Sequence, residues 1–524
     1  MLLHSDIIDG NARQHGAREA FSDRQGRRVT WAQYADRARR IGSSLYRLGL
    51  RRQDRFAVLG MNSLEYYQLY GTADLTGFIP VPLNFRLAPP ELLEILRDSA
   101  PKALFFDARH ASVVADLRDR NRDIAQFVCI DGHPGDRLAG ALALDDLVHG
   151  GSPDGAPLRP HPEDYATLFY TSGTTGRAKG VLHDHRATAR NTAAIANVSE
   201  ITGASVVLQT SPAFHVGGRC YVSAALWNAG RIVVHQAFDP AAVVDAIERE
   251  RVTFTFMVAA MLQAVLDLPD IGKRDLSSLS NVVSAAAPIP VPLLKRAMAL
   301  LGPVFSLQYG STETGSATRL PRHALKTEGT PAELRLLGSI GHPAPGVSVR
   351  IVRDDGSDVD VGEVGELVLR TDGMFSGYWN NHVATLEVMR DGWYHSGDMG
   401  VYDENAYITL VDRKKDMIIT GGENVYSREV EEAIHQHPDV VESAVIGVPH
   451  PKWVETVMAV VVARAGARID PQALIEFTRT RIAGYKCPTV VEFATELPRL
   501  ASGKIDKVAL RRTRVPAAPA GSGT

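Results

Sequence analysis

From residue 30 to about residue 310 the chain alternates short apolar runs with amphipathic helical stretches, and this alternation restricts the fold more than any other feature. Thr30-Trp31-Ala32-Gln33 has the form of a capping box, in which a hydroxyl and an amide satisfy free N–H groups at a helix start. Tyr34, Ala38, Ile41, Leu45 and Leu48 follow at helical spacing before Gly49. Phe56-Ala57-Val58-Leu59 then reads as a strand, followed by a helical stretch around residues 64–75. Apolar runs recur at residues 103–106, 127–130, 206–208, 232–234, 253–257 and 281–284, with helical patterns such as 241–248 and 291–301 between several of them. Strands joined through helices argue for α/β layers with largely parallel sheets.

After about residue 340 the pattern changes. Residues 347–352 and 366–370 are β-rich and separated by Gly/Asp turns, which suggests a small, more antiparallel sheet or barrel. Beyond Asp412-Arg413-Lys414-Lys415-Asp416 comes a compact α+β unit, with helices near 428–436 and 471–482 and strands near 440–448 and 456–463. The expected fold class is therefore α/β: a large N-terminal domain of layered sheets with a β-rich subdomain over 1–411, and a small α+β C-terminal domain over 412–513. The Pro/Ala/Gly-rich residues 514–524 are expected to form a flexible tail.

The loop Tyr170-Thr171-Ser172-Gly173-Thr174-Thr175-Gly176-Arg177-Ala178-Lys179-Gly180 follows the apolar run 166–170. Glycines let successive N–H groups face one anion, hydroxyls add donors, and Lys179 adds charge, so the loop suits polyphosphate. A Walker A loop would need Gly-Lys followed by Ser or Thr at a helix start. Here Ala178 precedes Lys179 and Gly180 follows it, so phosphate is bound by another scheme.

A net charge of −3 gives no case for nucleic acid. Cys129, Cys220 and Cys487 have neither metal-ligand nor disulfide spacing. The N-terminus lacks a signal-peptide pattern, and no run approaches the ~20 apolar residues of a membrane span. A cytoplasmic protein without integral membrane contact is expected, with a homodimer as a candidate assembly.

Further polar, glycine-marked segments sit where α/β proteins place ligands. They are Pro212-Ala213-Phe214-His215, Ala285-Ala286-Ala287-Pro288, Gln308-Tyr309-Gly310-Ser311-Thr312-Glu313, Trp393-Tyr394-His395-Ser396-Gly397-Asp398, Asp412–Asp416 with Thr420-Gly421-Gly422-Glu423-Asn424, and 498–507 containing Ser502-Gly503-Lys504. In this order, over about residues 30–510, the set resembles the signature of the acyl-adenylate-forming superfamily, which includes acyl- and aryl-CoA synthetases.

The resemblance implies two half-reactions. A carboxylate attacks the α-phosphorus of Mg-ATP to give acyl-AMP and pyrophosphate, and a thiol, usually that of CoA, then displaces AMP. It makes Lys504 the bridge between carboxylate and phosphate, and Glu313 the carboxylate that recruits Mg2+, with Thr171 counted on the metal beside it. Thr312 would donate to the α-phosphate, while Thr171, Ser172, Gly173, Thr174, Thr175, Gly176 and Lys179 would hold the β- and γ-phosphates. Tyr309 would stack on adenine in a slot lined by Ala286, Ala287 and Pro288, with Gln308, Gly310 and Ser311 also counted among the nucleotide-binding residues. Asp398 and Arg413 would hold the ribose, Lys415 would be the hinge, and Gly421-Gly422-Glu423 with Trp453, Lys452 and Lys486 would meet CoA. Three departures from the family pattern, Ala178, the Ala285-Ala286 pair and Ser396, delete no catalytic group.

His215 falls where CoA ligases border the acyl pocket and thiol tunnel. Gly217, Gly218, Ala286, Gly310, Gly315 and Ala317 are small where pocket walls are implied, and Arg219 is the charged residue in these segments. An apolar tail suits such a pocket, each buried methylene contributing ~0.8 kcal/mol. The resemblance thus points to an acid:CoA ligase for a medium- or long-chain fatty acid or a hydrophobic aryl acid. A stand-alone enzyme loading a carrier-protein thiol and a non-catalytic nucleotide-binding regulator are the alternatives.

Overall fold

The computed structural model of the chain describes residues 2–132, 138–171, 178–285, 289–420, 423–450, 452–500 and 503–514. Five sheets organise it. The largest runs in the order His342–Pro343, Gly315–Leu320, Phe305–Ser311, Asn281–Ser284, Phe254–Phe256, Val206–Gln209, Arg231–Val234, Glu19–Asp23, Arg28–Thr30. Its interior pairs are parallel and its edges antiparallel. A second sheet is wholly parallel, ordered Ile79–Leu83, Arg55–Leu59, Ala103–Phe106, Gln126–Cys129, Leu142–Ala143. Ile79–Leu83 carries Pro80 and Pro82, which cannot donate to a ladder, and accordingly it lies at an edge.

The first helix-start signal holds at atomic level. Gln33 N donates to Thr30 Oγ1 at 3.3 Å and Thr30 N donates to Gln33 Oε1 at 2.9 Å, opening the helix Trp31–Arg47. Its Trp31, Tyr34, Ala38, Ile41 and Leu45 are buried against Phe21, Tyr66 and Tyr67 in the largest hydrophobic cluster. Burial of each large side chain there stabilises by roughly 1.5–3 kcal/mol, so the apolar stripe fixes the helix more firmly than its cap does.

A third sheet is antiparallel: Tyr165–Thr171 pairs with Lys179–Asp184, which pairs with Gly377–Tyr378. The β-rich part is a five-stranded antiparallel sheet of Val347–Val352, Gly365–Thr371, Trp393–Tyr402, Met389–Arg390 and Ile408–Arg413. The last sheet contains Glu423–Val425, Ile418–Thr420, Val454–Ala463, Val440–His450 and Val490–Phe493. The helices Ser427–Ile434 and Pro471–Arg479 pack on it through Val430, Ile434 and Leu474. Among the described residues no helix is long and apolar enough to cross a membrane.

Thr30→Ala removes one half of the capping box. It should cost about 1 kcal/mol, seen as a lower urea midpoint for Trp31 fluorescence; an unchanged midpoint would show that packing alone sets this helix.

Candidate active site

The phosphate-type loop joins two antiparallel strands, with Thr171 opposite Lys179. No helix begins at Lys179, so the Walker scheme, which uses a helix N-terminus, does not apply. Thr171 Oγ1 donates to the carbonyl of Lys179 at 3.4 Å, and the Lys179 ammonium stands 5.1 Å from the ring centre of Tyr378. Ser172, Gly173, Thr174, Thr175, Gly176, Ala286, Ala287, Pro288, Gly421, Gly422 and Ser502 lie outside the described residues.

The segment Gln308–Glu313 occupies the end of Phe305–Ser311 and its turn into Gly315–Leu320. The turn is too tight for side chains at two positions. A Cβ on Gly310 would lie 1.8 Å from the Gly315 carbonyl oxygen, and Gly315 has φ +66°. Thr312 and Glu313 at its tip are tied from outside: His183 Nε2 donates to the Thr312 carbonyl at 2.7 Å, and Phe375 N donates to the Glu313 carbonyl at 2.7 Å. Tyr378 Oη donates to Glu313 Oε1 at 2.8 Å. Ser311 N donates to Thr314 Oγ1 at 3.2 Å within the turn. The Gln308 amide is directed into the core, donating to Ser199 Oγ at 2.9 Å and accepting from Tyr221 Oη at 3.3 Å.

Asp398 joins this strand to the strand Ile408–Arg413. Its Oδ2 accepts from Tyr309 Oη at 2.6 Å and its Oδ1 from Arg413 Nε at 2.8 Å, Asp398 and Arg413 being register partners on neighbouring strands. Gly397 N donates to Glu366 Oε1 at 3.0 Å and Lys414 N to the Gly397 carbonyl at 2.9 Å, which fixes the backbone beside the carboxylate. The nearby Asp398 charge raises the Arg413 pKa; burial, then Asp398, raises that of Tyr309. Ser396, Gly397, Arg413, Lys414 and Lys415 line a cavity of about 360 Å³ here.

Lys504, on the C-terminal part of the chain, lies near enough to Arg413, Asp398 and Glu313 for their charges to act on it. Gly503, at φ +86°, closes a turn in which Leu500 N donates to the Lys504 carbonyl at 2.7 Å, ahead of the helix Lys507–Arg514. The Lys504 side chain is exposed, yet the protein around it lowers its pKa, desolvation first and Arg413 second, with Asp398 and Glu313 opposing. Lys415, exposed at the surface, also has its pKa lowered, chiefly by desolvation.

His215 caps the helix Val216–Trp227, its Nδ1 accepting from Gly217 N at 3.3 Å. Burial, reinforced by Lys504, pushes its pKa down to about 4, so at neutral pH it is an uncharged ring with a proton on Nε2. A Cβ on Gly217 would meet nothing closer than His215 Nδ1 at 3.6 Å, whereas one on Gly218 would lie 2.0 Å from the Pro212 carbonyl oxygen. Gly218, Gly310 and Gly315 are therefore required by close backbone or side-chain approach. Arg219 points to the other side of the helix, where its Nη2 lies 2.7 Å from Asp74 Oδ1, with side-chain exposures of 5% and 2%, and its guanidinium stacks 4.4 Å from Tyr70.

The residues named for CoA are more dispersed. Glu423 is exposed on Glu423–Val425, Trp453 stacks on His450 at 4.3 Å with Lys452 nearby, and Lys486 is ion-paired with Glu429 at 2.7 Å. Among the described residues no three His, Cys, Asp or Glu side chains gather into a metal site. A single carboxylate, Glu313, fits Mg2+ that arrives on ATP with phosphate oxygens supplying most of its ligands. Sequence reasoning missed His183, Glu366 and Tyr378, which act through other residues; Tyr378 lies in Gly377-Tyr378-Trp379, a segment without a motif of its own.

Arg219→Met should lower stability by about 3–5 kcal/mol by leaving Asp74 buried and unpaired, with acid preference unchanged and much of the loss recovered when Asp74→Asn is added. A changed acid preference at an unchanged urea midpoint would instead put Arg219 in the substrate pocket.

Residues 8–379 match the family model for the AMP-binding enzyme, and residues 429–504 that for the AMP-binding enzyme C-terminal domain. The chain is 38% identical to a feruloyl-CoA synthase of an Amycolatopsis species, over 93% of this chain and 94% of that protein. It is 36% identical to an indoleacetate–CoA ligase of Aromatoleum aromaticum, over 93% of each. ATP-bound MatB from Rhodopseudomonas palustris superimposes with a TM-score of 0.88 at 29% identity, over 98% of this chain and 99% of that one.

Proposed function

We propose, from the premise that this chain belongs to the AMP-binding enzyme family, that it is an ATP-dependent acid:CoA ligase for a hydrophobic aryl or fatty acid. The observation that carries the reading is that the charges of Arg413, Asp398 and Glu313 all act on Lys504, beside the Asp398–Arg413 hydrogen bond. Two anions must meet at the α-phosphorus, and a cation delivered by a separate part of the chain can screen them at that moment.

In the first half-reaction a carboxylate oxygen of the acid bonds to the α-phosphorus and the bond to pyrophosphate breaks. Lys504 lies between the two reactants, Thr312 donates to the α-phosphate, and Thr171 with Lys179 and the loop 172–176 holds the leaving group. Mg2+, when bound, neutralises phosphate charge, with Glu313 and Thr171 as the protein's contribution. Tyr309 faces adenine, and Asp398, already oriented by Tyr309 and Arg413, accepts from the ribose hydroxyls. In the second half-reaction the thiol sulfur bonds to the acyl carbon and AMP leaves. We assign the turn between the halves to residues 412–513 pivoting at Lys415 against 1–411. That turn withdraws Lys504 and brings 421–423 and Trp453 to the pantetheine path.

The choice of acid class is supported by the apolar, uncharged surroundings of His215. Phe214 meets Phe85 edge-on at 5.1 Å, Tyr221 stacks on Phe256 at 5.4 Å, and Gly217 opens toward His215 and Phe256. Arg219 is neutralised by Asp74, and His215 is uncharged at pH 7. The feruloyl and indoleacetate relatives, whose named acids carry aromatic rings, support the same choice.

Lys504→Ala should slow acid-dependent pyrophosphate–ATP exchange by about 10²–10³-fold, the magnitude for loss of one preorganised electrostatic contact. Thioester formation from supplied acyl-AMP should persist; equal loss of both steps would refute the assignment. Gly217→Trp should shift the preferred acid toward smaller members of a fatty and aryl panel assayed by AMP release. An unaltered preference would remove Gly217 from the pocket.

A further inference from the structure

We propose that Tyr378 is a positioning residue that holds the Glu313 carboxylate and the Lys179 ammonium apart in the arrangement that receives the metal and terminal phosphates of Mg-ATP. The inference rests on the roles proposed above for Glu313 and Lys179. Tyr378 touches both by different chemistry: its hydroxyl donates to Glu313 Oε1 at 2.8 Å, and its ring centre lies 5.1 Å from Lys179 Nζ. A phenol can do this because its edge is a hydrogen-bond donor while its face attracts a cation.

The tyrosine is itself held on every side. It is 8% exposed, and it pairs in register with Val181 on the strand that begins at Lys179. Its N–H donates to Thr385 Oγ1 at 2.9 Å, and Phe375 packs edge-on to its ring at 5.1 Å. Ser376 N and Trp379 N donate to the carbonyls of Leu182 and Gly180, both at 2.7 Å. Phe375, three residues earlier, holds the backbone carbonyl of Glu313. One short segment therefore grips Glu313 by main chain and side chain while lying along the strand that carries Lys179.

Without the hydroxyl, the carboxylate loses its tether and is free to turn toward the neighbouring ammonium. An ion pair formed that way would compete with Mg-ATP for both residues. The hydroxyl thus leaves Glu313 Oε2 oriented for the incoming metal and Lys179 for phosphate.

The test is calorimetric binding of ATP by the full chain across a Mg2+ titration, without acid, for wild type, Tyr378→Phe, Glu313→Gln and the double variant. Tyr378→Phe should raise the Mg2+ concentration for half-maximal ATP binding 5- to 20-fold, weaken metal-free ATP binding because Glu313 then engages Lys179, and add nothing to Glu313→Gln. Wild-type Mg2+ dependence in Tyr378→Phe beside a shift in Glu313→Gln would overturn the inference and leave the site reading intact. No shift in Glu313→Gln would overturn both. If Tyr378→Phe does not fold, Tyr378→Met, which loses ring and hydroxyl together, should show at least as large a Mg2+ shift and weaker metal-free ATP binding. A folded Met variant behaving as wild type would equally refute the proposal.

Discussion

The carboxylate of Asp398 is the tie on which the cleft depends. It takes one hydrogen bond from Tyr309, at the end of the large mixed sheet, and another from Arg413, at the last position of the strand that leads into the C-terminal part of the chain. A charged acceptor bonded to a phenol and a guanidinium is shorter and stronger than a neutral contact, at 2.6 and 2.8 Å. It also fixes Arg413, at the end of its strand, relative to Tyr309. The tight Gly310–Gly315 turn, and through it Glu313, are placed by the same strand.

The charge balance around Lys504 is compatible with the transient role proposed for it. Protein atoms and Arg413 disfavour its ammonium, while Asp398 and Glu313 favour it, so its field is divided in the absence of nucleotide. On the reading proposed above, triphosphate and carboxylate would settle that division by adding negative charge beside the lysine. Once pyrophosphate leaves, much of that charge would go with it, which is a physical reason for the proposed withdrawal of the lysine. His215, uncharged and capping a helix, offers a proton-bearing edge without adding to the positive field.

The layered fold was largely legible because it rests on local periodicity: the Thr30 capping box and the apolar runs 56–59, 103–106 and 281–284 all stand where their patterns placed them. Tyr309, Asp398 and Arg413 were nameable from their motifs, and the structure joins them by hydrogen bonds. What stayed hidden depends on contacts between distant segments. Tyr378 meets Glu313 across 65 positions and His183 meets Thr312 across 129. The small residues tell the same story: a Cβ on Gly217 would make only ordinary contacts where one on Gly218 would strike a carbonyl, a difference set by chain path rather than by composition. Arg219 read as a charge in an apolar segment because its partner, Asp74, lies on another helix.

The central claim is that the acid's carboxylate attacks the α-phosphorus and that the thiol later breaks the acyl–oxygen bond. This route leaves one carboxylate oxygen on AMP. Turnover of an 18O-labelled aryl or fatty acid with ATP, Mg2+ and CoA, followed by mass spectrometry of the nucleotide, tests it directly. One labelled oxygen in AMP for each thioester formed is the predicted result; unlabelled AMP, or ADP in its place, would contradict the account.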